Sequence, residues 1–463
     1  MRKKAIISLV LFIPFLLLFG SVQSIRQGWE FSCNNPTGAN EFLAYASTSS
    51  NPLCAGSICA LSNHNLNANV SLHISHFDQR YAFLSNIINK TKGKGRFDPL
   101  VAGINEEMAD MGIPGAAVAV IEGGKVTFAA GFGTKHPDGE DPVKPTTLFR
   151  IGSLTKLFTT VSILKLVDQG KVDLNTPITE YLPDFSFQYD STWAPSITVK
   201  HLLTHSSGIV DYAEVDAAPE FQSHDGLSLF FNNVFGTKAY LMAPAGRMYN
   251  YTNPGFMLAG LITETVSGTY YHEYIDKEVL TPFGMQRTYF LAEEVLKDGD
   301  FAYGKTMHWE TGQPVVVGPD TYDNPWARPA GYAFTSVLDL AKFVDFLRKH
   351  KKSLVSDDLR MAMQEPQINT EEMLDLRNYG YALFVIEGGF YGPGPGDFYE
   401  IRRVGHNGAI PGYSAIIHYI PELDFAITFL ANTDNAYFNN SFLVALHTLC
   451  ALPAPTEPPD LTM

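Results

Sequence analysis

The stretch FRIGSLTKLFTT, Phe149 to Thr160, decides how the rest of the chain is read. It continues as VSILKLVDQG with an almost wholly apolar interior and ends at Gly170. That pattern predicts a buried helix closed by a glycine stop. Ser153 and Lys156 stand one turn apart at its head and so share a helix face. Burying an ammonium costs free energy that an apolar residue would not. One explanation is an N-cap serine beside a lysine that snorkels to water. The other is a nucleophile placed where free helix N–H groups and the positive dipole end gather, next to an amine that activates it. S-x-x-K alone does not choose, since a chain of this length and average composition holds about one or two. The second match here, Ser162 to Lys165, is mid-helix. At about 100° per residue it faces away from Ser153 and is read as structural.

Working outward, AAVAVIEGGKVTFAAGFG (116–133) is two apolar runs joined by Gly123-Gly124, a strong hairpin signal. YSAIIHYIPELDFAITFLAN (413–432) repeats the pattern with PELD as the turn, and a helix, AYFNNSFLVALHTLCAL, follows. Before the first hairpin, DPLVAGINEEMADMG has helical periodicity and a terminal glycine. Strand signals therefore stand at the two ends of the domain, while about 156 to 350 reads as mostly helical. The expected architecture is α/β in the α+β sense. One antiparallel sheet is built from both chain ends and flanked by helices, a mainly helical region is inserted, and a cleft lies between them.

Two further clusters suit that cleft. In PAGRMYNYTNPGFMLAGLITETVSG (244–268), proline and glycine define a loop that presents Tyr251 and Asn253 before a helix begins near Phe256. Y-x-N is unspecific: Tyr322 to Asn324 and Tyr437 to Asn439 also match, and a loop tyrosine more often simply packs. In RRVGHNGAIPGYSA (402–415), His406-Asn407-Gly408 leads into the late hairpin, and Gly408 allows close approach to the backbone. His224 to Gly226 also fits H-x-G, in a polar loop, and a lone histidine is ordinarily a satisfied structural residue. Taken in order, the three clusters are far more specific than any one of them.

The set resembles the serine β-lactamase-like hydrolases, particularly the class C β-lactamases and the related DD-carboxypeptidases, over about Asp98 to Leu452. The likeness runs through FRIGSLTK, LVDQGKVDLNTPITEYLP, ITVKHLLTHSSGI, PAGRMYNYTNPGFMLAG, RPAGYAFTSVLDLAKFV, GHNGAIPGYSA and FLANTDN. It implies a β-lactamase/DD-peptidase-like fold and no cofactor. By the same resemblance Ser153 is the acylated nucleophile, Lys156 its neighbouring amine, Tyr251 the general base and Asn253 a substrate-positioning amide. His406 replaces the lysine of the usual K-T-G motif. Asn407 and Gly408 line the substrate, and the N–H groups of Ser153 and Ala409 form the oxyanion hole. A tyrosine with pKa near 10 is a poor base at neutral pH, so Lys156 as a cation would stabilise the phenolate. The alternative, a neutral Lys156 taking the proton itself, stays open.

The motif departs from the β-lactamase pattern at two positions. His406 would be charged only part of the time, and Asn407 stands where threonine is usual. Arg402 and Arg403 could supply charge, but strand alternation sends them to opposite faces. The expected chemistry is therefore cleavage of an ester or amide, DD-carboxypeptidase- or esterase-like, with weak β-lactamase activity at most. A catalytically inactive relative that binds or scaffolds through the same cleft is the alternative. His205 in LLTHSSG is expected to buttress its loop, and Ser336 with Asp339 to form a capping box.

The remaining features bound the biology. The 463 residues carry a formal charge of −15. That excludes the basic stripe a nucleic-acid partner needs and leaves a small-molecule or peptide substrate. The opening MRKKAIISLVLFIPFLLLFGSVQS reads as an export signal, residues 1–24, and places the chain as secreted or periplasmic. Uncleaved, the same segment would anchor it in a membrane, the one expected membrane contact. Residues 25–95 form a polar extension with a helix at FDQRYAFLSNII, 96–452 the hydrolase domain, and 453–463 a tail. Export makes the four cysteines disulfide candidates. Among the pairings of Cys33, Cys54, Cys59 and Cys450, closure of CAGSIC by Cys54–Cys59 is expected. No second cysteine or histidine pair stands at metal-ligand spacing, so no metal site is expected. Asn69, Asn89, Asn250 and Asn439 head N-x-S/T sequons.

Overall fold

The computed structural model describes residues 82–456, apart from 188–191, 212–222, 309, 322, 349–353, 372–376, 389 and 392–397. The leader, Cys33, Cys54, Cys59 and Asn69 lie outside the described residues. The chain divides into two units, Met1–Asn89 and Lys90–Met463. Of the first, residues 82–89 are described and are helical, within the segment read as a helix. Among the described residues, no helix is long and apolar enough to cross a membrane.

The second unit is organised by an eight-stranded sheet. Its strands are β1 (Gly115–Glu122), β2 (Lys125–Gly133), β3 (Ile368–Asn369), β4 (Arg377–Tyr379), β5 (Phe384–Ile386), β6 (Arg403–Ile410), β7 (Tyr413–Ile420) and β8 (Phe425–Ala431). Their order across the sheet is β2-β1-β8-β7-β6-β5-β4-β3. The antiparallel join of β1 to β8, Ala116 opposite Ala431 and Glu122 opposite Phe425, ties the two chain ends together as expected. The β1–β2 hairpin turns on Gly123 and Gly124 at φ 57° and 74°. That left-handed pair suits glycine and matches the twist of the strands.

Alternation along β1 sorts its side chains between two cores. Val118 and Val120 pack with Ile104 of α1 (Asp98–Met111) and Phe442 of α5 (Asn439–Leu449). Ala117, Ala119 and Ile121 join the larger core on the other face with Leu157, Phe158, Leu258 and Phe343. Those four come from α2 (Thr155–Asp168), α3 (Asn253–Ser267) and α4 (Val337–Arg348). Buried Glu107 caps α5, accepting the Ser441 N–H at 2.9 Å and its hydroxyl at 2.7 Å. A carboxylate there satisfies orphan donors and the helix dipole together.

The inserted region is not purely helical. Phe149–Arg150 pairs with Phe334–Thr335, and Gly304–Met307 with Pro314–Val317. Pairings of two and four residues carry little strand periodicity, which is why the sequence pattern does not reveal them. The first pair fixes the entry to the decisive segment. Ser336 supplies half of the expected capping box, its Oγ accepting the Asp339 N–H at 3.2 Å. The Asp339 carboxylate instead takes the Arg287 N–H at 2.9 Å.

Candidate active site

Ser153 lies in a short 3-10 turn, Gly152–Leu154, that runs directly into α2. It is not an N-cap. The lead-in is held by Thr155, whose hydroxyl donates to Gly152 O at 2.7 Å and accepts the Ala333 N–H at 3.1 Å. This leaves the Ser153 hydroxyl free for Lys156, whose Nζ lies 2.9 Å from Ser153 Oγ. The same nitrogen donates to Asn253 Oδ1 at 2.8 Å and to Ala330 O at 2.7 Å. Lys156 does not snorkel: it is fully buried. Desolvation brings its pKa down to about 7, with Asp211 pulling the other way. Ser162 is also fully buried, its Oγ donating to Thr159 O at 2.7 Å and meeting Thr263 Oγ1 at 3.0 Å, the structural role expected.

Tyr251 reaches the same point from the loop before α3, and its phenol hydrogen-bonds Ser153. Burial pushes that phenol well above its ordinary range, the Ser153 contact opposing. Burial therefore works against the expected ionic pair, a lysine cation beside a tyrosine phenolate. Burial disfavours both charges, so the proton rests on the phenol and the amine is the group that readily loses one. His205 carries the Tyr251 ring, with centroids 3.9 Å apart. Its Nδ1 accepts the Thr252 N–H at 3.1 Å, which is the loop support expected of it. The Asn250 amide donates to Ile209 O at 2.8 Å, so that sequon serves the loop as well.

The third cluster closes the site from β6. A Cβ on Gly408 would lie 1.9 Å from Ile151 O, and one on Gly152 would lie 2.6 Å from Ala409 N and 2.7 Å from Ala409 O. Main-chain N–H and C=O of one strand residue point the same way, so this edge of Ala409 faces the turn carrying Ser153. β5 pairs with β6 only at Arg403–Gly405. Beyond that point the 406–410 edge meets the Ser153 turn instead of a strand.

His406 departs from expectation. Its Nδ1 lies 2.5 Å from Asn407 O, an acceptor, so Nδ1 carries the hydrogen. Nε2 then accepts from the Tyr379 hydroxyl at 2.9 Å. Burial first, then Lys156, lowers the imidazole pKa to about 3. The part-time cation expected here is a neutral ring, because desolvation outweighs anything that would stabilise its charge. Asn407 alternates to the other side of the strand, where the Tyr437 phenol hydrogen-bonds its side chain. Arg402 is taken by Glu365 at 3.3 Å and Glu387 at 3.4 Å, and Arg403 lies over the Phe442 ring at 5.5 Å.

Two side chains at the site, Asp211 and Tyr379, gave no sequence signal. Asp211 accepts the Asn253 main-chain N–H at 3.0 Å and its carboxamide at 3.4 Å, which fixes the amide so that Oδ1 faces Lys156. Tyr379 stands in a three-residue strand and locks His406. The Ala330 carbonyl belongs to a quoted motif, but a backbone acceptor has no residue type by which to find it. Among the described residues, no group of three or more His, Cys, Asp or Glu could hold a metal ion.

A buried serine–lysine pair, a phenol from a loop before a second helix, and a strand edge facing the serine turn are the arrangement of the β-lactamase-fold serine hydrolase family. The chain belongs to the Beta-lactamase family, whose model matches residues 100–446. That family works through acyl-enzymes. Protein flp of Staphylococcus aureus (strain MW2) is 29% identical over 332 residues, covering 70% of this chain and 61% of that protein. The chain thus spans less than two thirds of the length of that relative. Unguisins hydrolase ungD' of Aspergillus campestris is 26% identical over 362 residues, 75% of this chain and 64% of that protein. The octameric penicillin-binding protein homologue from Pyrococcus abyssi superposes with a TM-score of 0.63 at 31% identity, over 75% of this chain and 76% of that one.

Proposed function

We propose that this chain is an exported serine hydrolase that cleaves an ester or amide through an acyl-enzyme on Ser153, closer to an esterase or DD-carboxypeptidase than to a β-lactamase. The observation that carries it is the set of three contacts at Lys156 Nζ. Two partners, Asn253 Oδ1 and Ala330 O, can only accept. A neutral amine has two hydrogens and one lone pair. It gives the hydrogens to those acceptors, and the lone pair is left facing Ser153 Oγ.

The steps follow from that. Lys156 takes the hydroxyl proton as Ser153 Oγ bonds to the substrate carbonyl carbon. The carbonyl oxygen, now negative, is met by the N–H groups of Ser153 and Ala409, where one donor is worth about two to three powers of ten in rate. As the tetrahedral adduct collapses, the leaving group departs with a proton. Tyr251 delivers it from its contact with Ser153 and is replenished by the Lys156 ammonium. Water then repeats the sequence in reverse roles and frees the acid. Gly408 permits the close approach, Asn253 holds the amine, and His406 contributes a neutral wall beside Tyr251, their ring centroids 6.2 Å apart.

The test is labelling of the full chain by a neutral fluorophosphonate, with the modified residue located by mass spectrometry. Wild type is expected to label at Ser153. Ser153→Ala is expected to resist labelling and to lose at least about a thousandfold in turnover of an activated ester. Undiminished turnover in Ser153→Ala would end the proposal.

A further inference from the structure

Resting on that reading, the charges around the cleft also specify a substrate class. An anion sits beside the reactive group. Asp211 holds Asn253 through both its main chain and its amide. Asn253 holds Lys156, and Lys156 holds Ser153. Asp211 is thus three hydrogen bonds from the nucleophile; its residue is open to solvent, while burial around the carboxyl raises its pKa and the Asn253 N–H and Lys156 oppose that shift. An incoming ligand therefore meets this carboxylate at the cleft.

Five basic side chains around the site are committed elsewhere. Lys156 is fully buried and engaged by three acceptors. His406 has a hydrogen-bond partner on each ring nitrogen, one a carbonyl and the other the Tyr379 hydroxyl. Arg402 is held by Glu365, Glu387 and Gln364 O. Arg403 lies over Phe442, in α5 behind the sheet. Arg377 is buried with its guanidinium 4.1 Å from the Phe384 ring centroid. A substrate carboxylate would exchange its hydration for a like charge, whereas an ammonium would exchange it for an opposite one.

We propose that Asp211 is a specificity-determining residue that makes this cleft prefer acyl donors bearing a cationic amine on the acyl side of the scissile carbonyl and disfavour those bearing a carboxylate on that side. The carboxylate does not touch the reacting atoms. Its effect is on which substrate settles against Asn253 and how tightly.

The experiment uses the full chain and three thiobenzyl esters of alanine, with a free amine, an N-acetyl cap or an N-succinyl cap. Each is measured for kcat/KM and as a competitor of fluorophosphonate labelling at Ser153, so that binding is read even where turnover is slow. Wild type is expected to prefer them in the order amine, acetyl, succinyl, with amine over succinyl by about tenfold or more. Asp211→Asn is expected to compress that ratio toward one. A purely structural role for Asp211, through Asn253, would lower all three substrates alike and leave the ratio intact, which overturns the proposal. So does a flat or reversed order in wild type. If the fluorophosphonate does not label Ser153 at all, it is the acyl-enzyme reading that fails, so the two failures are told apart.

Discussion

If Lys156 is the base, the rate of Ser153 acylation should follow its ionisation. With its pKa brought down to about 7, half of the amine is ready to accept a proton at neutral pH. An ordinary lysine near 10.4 offers about one part in two thousand there, so burial enriches the competent form roughly a thousandfold. The sign is fixed by which form works: the neutral amine is active, so acylation rises with pH through about 7 and falls below it. Each unit further down should cost about tenfold, leaving roughly one hundredth of the plateau at pH 5. The assay is the single-turnover burst of p-nitrophenol from an activated ester, followed across pH. Tyr251→Phe should lower the plateau but leave the limb in place, because the phenol is not the group titrating. Asp211→Asn should move the limb to lower pH, since that carboxylate raises the amine's pKa. His406→Asn should leave the limb, since burial has taken the imidazole to about 3. A limb that disappears in Tyr251→Phe, or in His406→Asn, would refute the assignment of the base.

Two further outcomes probe the frame. Gly408→Ala should abolish labelling of Ser153, because its Cβ would fall 1.9 Å from Ile151 O and push the serine turn off the strand; labelling at the wild-type rate would show that the contact yields. Ser162→Ala should keep the burst amplitude while lowering stability by about 1 kcal/mol for its lost buried hydrogen bonds, read as a shifted denaturant midpoint. A lost burst there would mean that the wrong S-x-x-K had been chosen.

Much of the frame can be read from residue order. Gly123-Gly124 specifies a left-handed turn because few other residues tolerate positive φ, and the flanking apolar runs supply the strands. The apolar run from Leu157 to Val167 specifies a buried helix, and Ser153 with Lys156 at its head is a local, three-residue relation. These features depend on neighbours in the chain, where periodicity and steric preference act. The ordered appearance of Ser153, Tyr251 and His406 carried the family resemblance for the same reason.

What only the tertiary structure decided is electrical. Lys156 meets Asn253 and Ala330 across 97 and 174 residues, and Tyr379 meets His406 across 27. Asp211 reaches Asn253 across 42. No repeat or spacing encodes such pairs, because they are made by packing of separate elements. Ionisation depends on the water and charge that packing leaves around each group. Burial brings the Lys156 amine down to about 7, holds the Tyr251 phenol above its ordinary range and takes the His406 imidazole to about 3.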